Sequence, residues 1–425
     1  MEANFSFFKA GQGLFYGGQI RNLKNKKDYS IVYDCGTTNF IKGNFKSLNN
    51  EIDNFKIKYS SKKIDLLFIS HLDFDHVSGV KRLLKEFEVK KIILPYIKEE
   101  FRKYFLISFP RINNVMEYEF SIDEYGVFLE KPHEFIKQNS KYDKIKIIFI
   151  KSNEEKEVNY QNVDIYSENE DEDDIYTFGN FINEVDLYNE NNIFLYENNL
   201  QFYINRYWEF TVYFKDLNED NINNLNNDLK KLIGKGKNQV LTIEDLKNML
   251  INNRESVKRI YCKHMININS HGLILLHGPI NFRSVNMDTY IDSDLFIKCP
   301  FNSVCLGPYL NFKYSFEDKD IRYRTLLFGD TSINKHNNPV NFPKAFRDKL
   351  INVYAIQLPH HGSSKNWDYN EFKNLNIDSN KCISICNFGY GNRYGHPSHQ
   401  ILNDLNKNII LNSQFTGVNI YITCN

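Results

Sequence analysis

The chain carries no net charge: 53 Lys and Arg balance 53 Asp and Glu over 425 residues. That excludes a broad electrostatic hold on nucleic acid or on an acidic membrane, so any such surface has to be local. No run of about twenty apolar residues is present, and no helical membrane span is expected. The first residues, Met1-Glu2-Ala3-Asn4, lack the basic start and apolar run of a signal peptide. Cysteine is scarce and odd in number, with seven at Cys35, Cys262, Cys299, Cys305, Cys382, Cys386 and Cys424. They show neither zinc-finger pairing nor small-scaffold density, which fits a reduced, cytoplasmic protein. Cys382 and Cys386 flank an apolar strand and read as core thiols. The segment Gly234-Lys235-Gly236-Lys237 lacks the spacing and the preceding strand of a phosphate-binding loop.

What is present centres on His71-Leu72-Asp73-Phe74-Asp75-His76. The apolar run before it, Ile64 to Ser70, reads as a buried strand, and Lys81–Phe87 after it takes helical spacing. Two imidazoles and two carboxylates therefore stand at a strand's C-terminal end, where layered α/β folds carry their ligand-binding loops. Four such groups in six residues repel one another or need protons unless a cation holds them, and a divalent metal accepts both ligand types. The alternative is a solvated loop in which Asp75 or Ser78 caps the following helix.

Other predicted strands end in the same residue types. Tyr29–Tyr33 runs into Asp34-Cys35-Gly36, where Asp34 is either a turn former or a carboxylate that orients a ligand imidazole. A strand over about 267–278 is flanked by His271 and His277, of which His271 is the better ligand candidate. Leu326–Phe328 leads to Gly329-Asp330, and Val353–Pro359 leads to His360-His361. Cys382–Asn387 precedes a loop bearing Arg393 and His396, then a helix opened by Pro397 and Ser398. Between these, Asn192–Asn205 and Tyr207–Phe214 alternate like hairpin strands, and Leu217–Leu232 and Thr242–Asn252 have helical spacing. The acidic stretch Glu154–Asp174 reads as a solvated loop.

This ordered set resembles the metallo-β-lactamase superfamily, whose first motif is His-x-His-x-Asp-His; here it reads His71-x-Asp73-x-Asp75-His76. The Asp at the second position is similar to a branch that includes the hydrolase domain of competence-type DNA-uptake channel proteins. Gly11-Gln12-Gly13, Asp34-Cys35-Gly36, Asn267 to Ser270, Gly329-Asp330, Pro359 to Ser363 and Asn392 to Pro397 resemble that branch's motifs in the same order. The resemblance implies an α/β fold, an αββα sandwich, with residues 1–99 and 261–425 as its core. Residues 100–260 would be an insertion, a lid or a substrate- or partner-binding elaboration.

The resemblance also implies two divalent metal ions, zinc or manganese, with magnesium as a further option. By position, His71 and Asp73 would hold one and Asp75 and His76 the other, with Asp330 bridging them. His361 or its neighbour His360 would complete the second site; for the first, Asn269 and His271 both stay open. His396 would lie by the substrate as proton donor or phosphate contact, and Asp75 would orient or deprotonate water. Lys365 and Arg393 would be phosphate contacts, unless they are ordinary surface charges. Carboxylate at 73 in place of imidazole makes a harder, more anionic site and shifts preference from zinc toward manganese or magnesium.

The implied activity is phosphodiester hydrolysis on DNA or RNA, in DNA processing or phage defence, with nucleic acid as the partner, no membrane, and protein partners unspecified. Two other readings remain. One is a hydrolase of lactams, lactones, thioesters or cyclic nucleotides; the other is a binding module that keeps the fold without turnover. A local groove for nucleic acid could draw on Lys230, Lys231, Lys235, Lys237, Lys258 and Arg259, though a solvated helix face explains them as well.

Overall fold

The structure is a computed structural model. It describes residues 1–38, 48–110, 120–152, 175–182, 192–198, 200–217, 219–236, 238–265, 271–280, 282, 285–293, 309–314, 323–336, 339–377 and 382–424. The strands in chain order begin with β1 (Glu2–Phe7), β2 (Phe15–Asn22), β3 (Lys27–Cys35), β4 (Lys63–Phe68), β5 (Glu88–Pro95) and β6 (Lys146–Lys151). Then come β7 (Ile175–Phe178), β8 (Ile193–Glu197), β9 (Gln201–Ile204), β10 (Trp208–Lys215), β11 (Gly272–Pro279) and β12 (Val285–Ser293). The last are β13 (Tyr309–Tyr314), β14 (Arg324–Leu327), β15 (Val353–Gln357), β16 (Ile383–Asn387), β17 (Ile409–Asn412) and β18 (Thr416–Cys424). The α-helices among the described residues begin with α1 (Leu48–Tyr59), α2 (Phe74–Val77), α3 (Val80–Glu86), α4 (Glu99–Arg102), α5 (Ile122–Glu130) and α6 (Pro132–Asn139). They continue with α7 (Glu219–Leu232), α8 (Ile243–Asn252), α9 (Arg254–Met265), α10 (Lys344–Arg347), α11 (Tyr369–Asn374) and α12 (His399–Leu405).

Two mixed sheets face each other. One runs β13-β12-β18-β1-β2-β3-β4-β5-β6-β8 and the other β17-β16-β15-β14-β11-β10-β9-β7. Side-chain alternation along β11 sorts the layers: Leu273 and Leu275 join the core between the sheets, whereas Ile274 and Leu276 pack outward with Phe346, Phe372 and Ile401 of α10, α11 and α12. Phe68 of β4 meets Phe202 and Phe210 across the gap at 5.7 and 6.0 Å between ring centroids. Truncating such a fully buried Phe costs about 3–5 kcal/mol. On the other outer face, Phe55 of α1 packs on Phe8, Phe15 and Phe87. This mixed α/β layering, helices outside and two sheets within, is consistent with the expected αββα sandwich.

Two expectations need correction. The stretch 192–214 is not one hairpin: β8 pairs parallel with β6 in the first sheet, and only β9 pairs with β10 in the second. The break has a local cause, because the Asn198 side chain donates to Phe214 O at 2.7 Å and accepts from Phe214 N at 2.6 Å, standing in for a strand partner. Residues 100–260 are not set apart from the sandwich in their strands. They supply β6 and β8 to one sheet and β7, β9 and β10 to the other, with β10 between β9 and β11. Alternation reports a strand but not its neighbour, which is why both were misplaced. The helices at 219–232 and 243–252 stand where spacing put them, and Thr242 and Asp245 form the expected capping box on α8. The acidic stretch 154–174, Asn269, Cys299, Cys305 and Lys237 lie outside the described residues.

Parallel pairing decides where chemistry collects. β3 and β4 are parallel, as are β14, β15 and β16, so their C-terminal ends deliver Asp34, residues 71–76, Asp330, His360 and His361 to one rim. No described helix is long and apolar enough to cross a membrane.

Candidate metal centre

The 71–76 loop is built to be rigid. Phe74, between its two carboxylates, is fully buried against Phe109 and Tyr125, 4.7 and 5.2 Å away. On the other side, a Cβ at Gly13 or Gly36 would come within 2.6 Å of Asp75 backbone, so only glycine lets those turns approach the loop. His360 and His361 follow β15 in left-handed backbone, φ 43° and 54°, a conformation costly for non-glycine residues and concentrated at functional sites.

The six side chains of three groups converge. Single ligand atoms of His71, His76 and Asp330 lie within 4.8 Å of one another, as do those of Asp75, His76 and His361, and of His71, Asp73 and Asp75. Asp330 stands centrally: its Oδ1 is 3.2 Å from His76 Nε2 and 3.9 Å from His361 Nε2. Its Oδ2 is 3.7 Å from both His71 Nε2 and His360 Nε2. His361 Nε2 also lies 3.2 Å from Asp75 Oδ2.

The outer ring nitrogens explain why those Nε2 atoms face inward. His76 Nδ1 donates to Asp34 Oδ2 at 2.7 Å. His361 Nδ1 donates to Asn387 O, and His360 Nδ1 to Asn366 Oδ1, each at 3.0 Å. Ser70 Oγ gives its hydrogen to Asp34 Oδ2 at 2.5 Å, so it accepts from His71 Nδ1 at 2.8 Å. These acceptors select the tautomer that leaves each Nε2 as a lone pair, the arrangement metal-binding histidines use.

The donor set fits a divalent cation. Among the described residues, His71 Nε2, Asp73 Oδ1, His76 Nε2 and Asp330 Oδ1 are buried without a hydrogen bond of adequate geometry, and such groups are costly unless something satisfies them. Electrostatics point the same way. Burial, then the neighbouring Asp75 charge, pushes the Asp73 carboxyl well up. Burial opposes ionisation of Asp330 too, but the imidazoles of His360, His76, His361 and His71 hold it well below the carboxylate range. Burial works against protonation of His76, yet Asp330 and Asp34 hold it well above the usual imidazole value. Burial and His76 press His71 well down. These opposed pulls within one buried cluster are what a divalent cation would relieve.

The remaining predicted residues divide. A cavity of about 350 Å³ opens over Asp73, Asp75 and Asp330, with Lys365 and His396 on its wall. The His396 ring lies 5.6 Å from His360, and burial, then His360 and His361, drive its pKa down to about 3. His271 is buried with its ring 6.0 Å from His71, beside the cluster but in none of its three groups. Arg393 is exposed, next to Tyr394, Gly395 and His396 of the cavity lining but not itself among the lining residues. Sequence reasoning missed Ser70, Asn366 and the Asn387 carbonyl; no local pattern marks such residues, since each acts only through a distant ring.

Residues 23–137 match the family described as the metallo-beta-lactamase superfamily, a little over a quarter of the chain. No curated protein matches it. The match, with two sheets, outer helices and clustered His and Asp side chains, supports a metal-dependent hydrolase as the class.

Proposed function

We propose that this chain is a metal-dependent phosphodiesterase that cleaves DNA or RNA. The observation that carries the reading is the placement of Asp330: one carboxylate faced by four imidazoles, with Asp73 and Asp75 beside it, under a cavity walled by Lys365 and His396. His71, Asp73 and Asp330 would hold one divalent ion, and Asp75, His76, His361 and Asp330 a second, with His360 beside the shared carboxylate. Metal bound there supplies Lewis acidity and a more acidic water, the chemistry suited to phosphodiesters.

The chain's own groups do the rest. Asp75, whose Oδ2 lies 3.2 Å from His361 Nε2 on the floor of the cavity, would orient the water and accept its proton. The water oxygen adds to phosphorus, one ester P–O bond breaks, and the departing oxygen takes a proton from solvent. With a pKa of about 3, His396 enters as a neutral ring that contacts the phosphoryl group rather than a stored acid. Lys365 offsets the charge of the substrate. The similarity of Asp73 and the 392–397 loop to competence-type hydrolases supports nucleic acid over lactams or thioesters, and a harder site supports manganese.

The cavity volume favours a second reading, because about 350 Å³ is near the lower end for small-molecule sites. A cyclic nucleotide would fit it. The test is incubation of purified protein with single- and double-stranded DNA and RNA and with cyclic nucleotides, with and without manganese. Shortened polymer supports the nuclease reading; opening of cyclic nucleotides alone supports the second; intact substrates throughout overturn both.

A further inference from the structure

Most buried tyrosine hydroxyls here have a partner. Tyr16 pairs with His277, Tyr33 donates to Leu273 O, Tyr59 bonds Ser6, and Tyr125 donates to Leu72 O. Tyr261 differs. The residue is only 8% exposed, its hydroxyl is buried, and that hydroxyl has no hydrogen-bond partner among the described residues. A native fold rarely leaves such a group without a reason, since burial without a bond costs about 1–3 kcal/mol.

Its setting gives the reason. Tyr261 lines the cavity that opens over Asp73, Asp75 and Asp330. Its ring is part of the core between the sheets and the outer helices, and it also borders a small apolar cavity with Phe101, Tyr104 and Phe105. The carboxylates of Asp73 and Asp75 lie close enough to raise its pKa further, after burial. Lys258, one turn earlier on the same face of α9, lines the same cavity. Lys263, which points away from that face, pairs with Asp228 of α7 at 2.8 Å, and His264 pairs with the same carboxylate at 3.0 Å. Ser108, which lines the same cavity, is already engaged, with its Oγ bonded to Phe105 O at 2.7 Å and to Phe74 N at 3.0 Å.

We infer that Tyr261 and Lys258 form a phosphate-binding wall: the hydroxyl donates to a phosphoryl oxygen of the substrate, and the ammonium offsets its charge. The inference rests on the phosphodiesterase reading and deepens it by assigning α9 to substrate recognition, in the cavity that Lys365 and His396 also line. An anion is the matching ligand, because a hydroxyl beside two carboxylates has a hydrogen to give and the lysine adds positive charge. Water alone would not call for the lysine.

The test uses the full chain loaded with manganese, inorganic phosphate as probe by titration calorimetry, and bis(p-nitrophenyl) phosphate as a reporter of turnover. Tyr261→Phe and Lys258→Gln are each expected to weaken phosphate binding about tenfold, the usual value of one such bond, with bound manganese unchanged. Tyr261→Phe is also expected to melt no lower than the parent, since it deletes only an unpartnered atom. Lys263→Gln, on the far face of α9, is expected to bind phosphate like the parent. If Tyr261→Phe and Lys258→Gln both keep the parent's phosphate affinity, or the parent binds no phosphate at millimolar concentration, the wall is overturned even when nucleic acid is cleaved. If phosphate binds and both variants weaken it while no phosphodiester is cleaved, the wall stands and the phosphodiesterase reading falls.

Discussion

Asp34 and His76 are 42 residues apart in the chain, yet Asp34 Oδ2 accepts a hydrogen bond from His76 Nδ1 at 2.7 Å. The same carboxylate takes the Ser70 backbone N–H at 2.6 Å and the Ser70 hydroxyl, so one buried anion fixes two ring orientations, His76 directly and His71 through Ser70. Its own backbone is left-handed, φ 55°, at the register shift where β2 pairs with Tyr33 and Cys35 and passes over Asp34. Carboxylates in this role commonly change metal affinity 10–100-fold. Asp34→Ala is therefore expected to lower affinity for manganese or zinc by roughly that factor. Equilibrium dialysis with elemental analysis measures it, and an unchanged affinity would show that packing alone orients the rings.

Asp330 carries a larger expectation. Its two oxygens face four imidazoles, so its removal takes away the one anion common to both halves of the cluster. Asp330→Ala should lose bound metal through desalting and reduce hydrolysis by about three orders of magnitude, about 4 kcal/mol of barrier. The variant should keep its far-ultraviolet circular dichroism, because the sandwich core does not include this side chain. Retention of a full complement of metal would refute the bridging role.

Much of this was legible from residue order. Strands ending in His or Asp placed 71–76, Asp330 and His361 at one rim, because a parallel strand's C-terminal end is visible as an apolar run that stops at polar residues. The choice for Asp34 between turn and ring-orienting carboxylate needed coordinates, since the partner sits 42 residues away. Sheet membership was hidden for the same reason: β8 and β9 alternate alike, but only three-dimensional pairing sends them to different sheets. Tyr261 gave no signal, because an apolar-spaced tyrosine on a helix looks like core, and its ring is core. Only the hydroxyl is not.

The carboxylate at 73 makes a prediction about metal choice. Asp73 Oδ2 is 3.6 Å from His71 Nε2, and both Asp73 and His71 are buried. Imidazole is the softer ligand, so Asp73→His should shift selectivity from manganese toward zinc, on the order of tenfold in the ratio of affinities. Competition between the two ions, read by elemental analysis, reports the ratio. A ratio equal to the parent's would mean that the other ligands set the preference.

The last prediction concerns stability away from the site. His277 is buried between the sheets, with Nε2 2.9 Å from Tyr16 Oη and the Trp208 indole N–H 3.4 Å from Nδ1. Burial lowers its pKa from 6.5 to about 3. The unfolded chain therefore binds a proton at higher pH than the folded one, and stability falls as the solution is acidified. This contribution is complete above about pH 6.5 and is withdrawn as pH falls toward 3. Its slope there is at most about 1.4 kcal/mol per pH unit. Glu209 behaves differently. Burial opposes its ionisation, but the charges of Arg324 and Lys349 lower its pKa, so its contribution is lost only once pH drops below the ordinary carboxylate range. His277→Gln, which keeps a neutral polar group in the same place, should flatten the wild-type stability curve between pH 4.5 and 6.5 while leaving the steeper acid limb. Urea unfolding of both proteins across that range, in chelator, gives the two curves. Parallel slopes would show that His277 titrates in the folded protein much as it does in the unfolded chain.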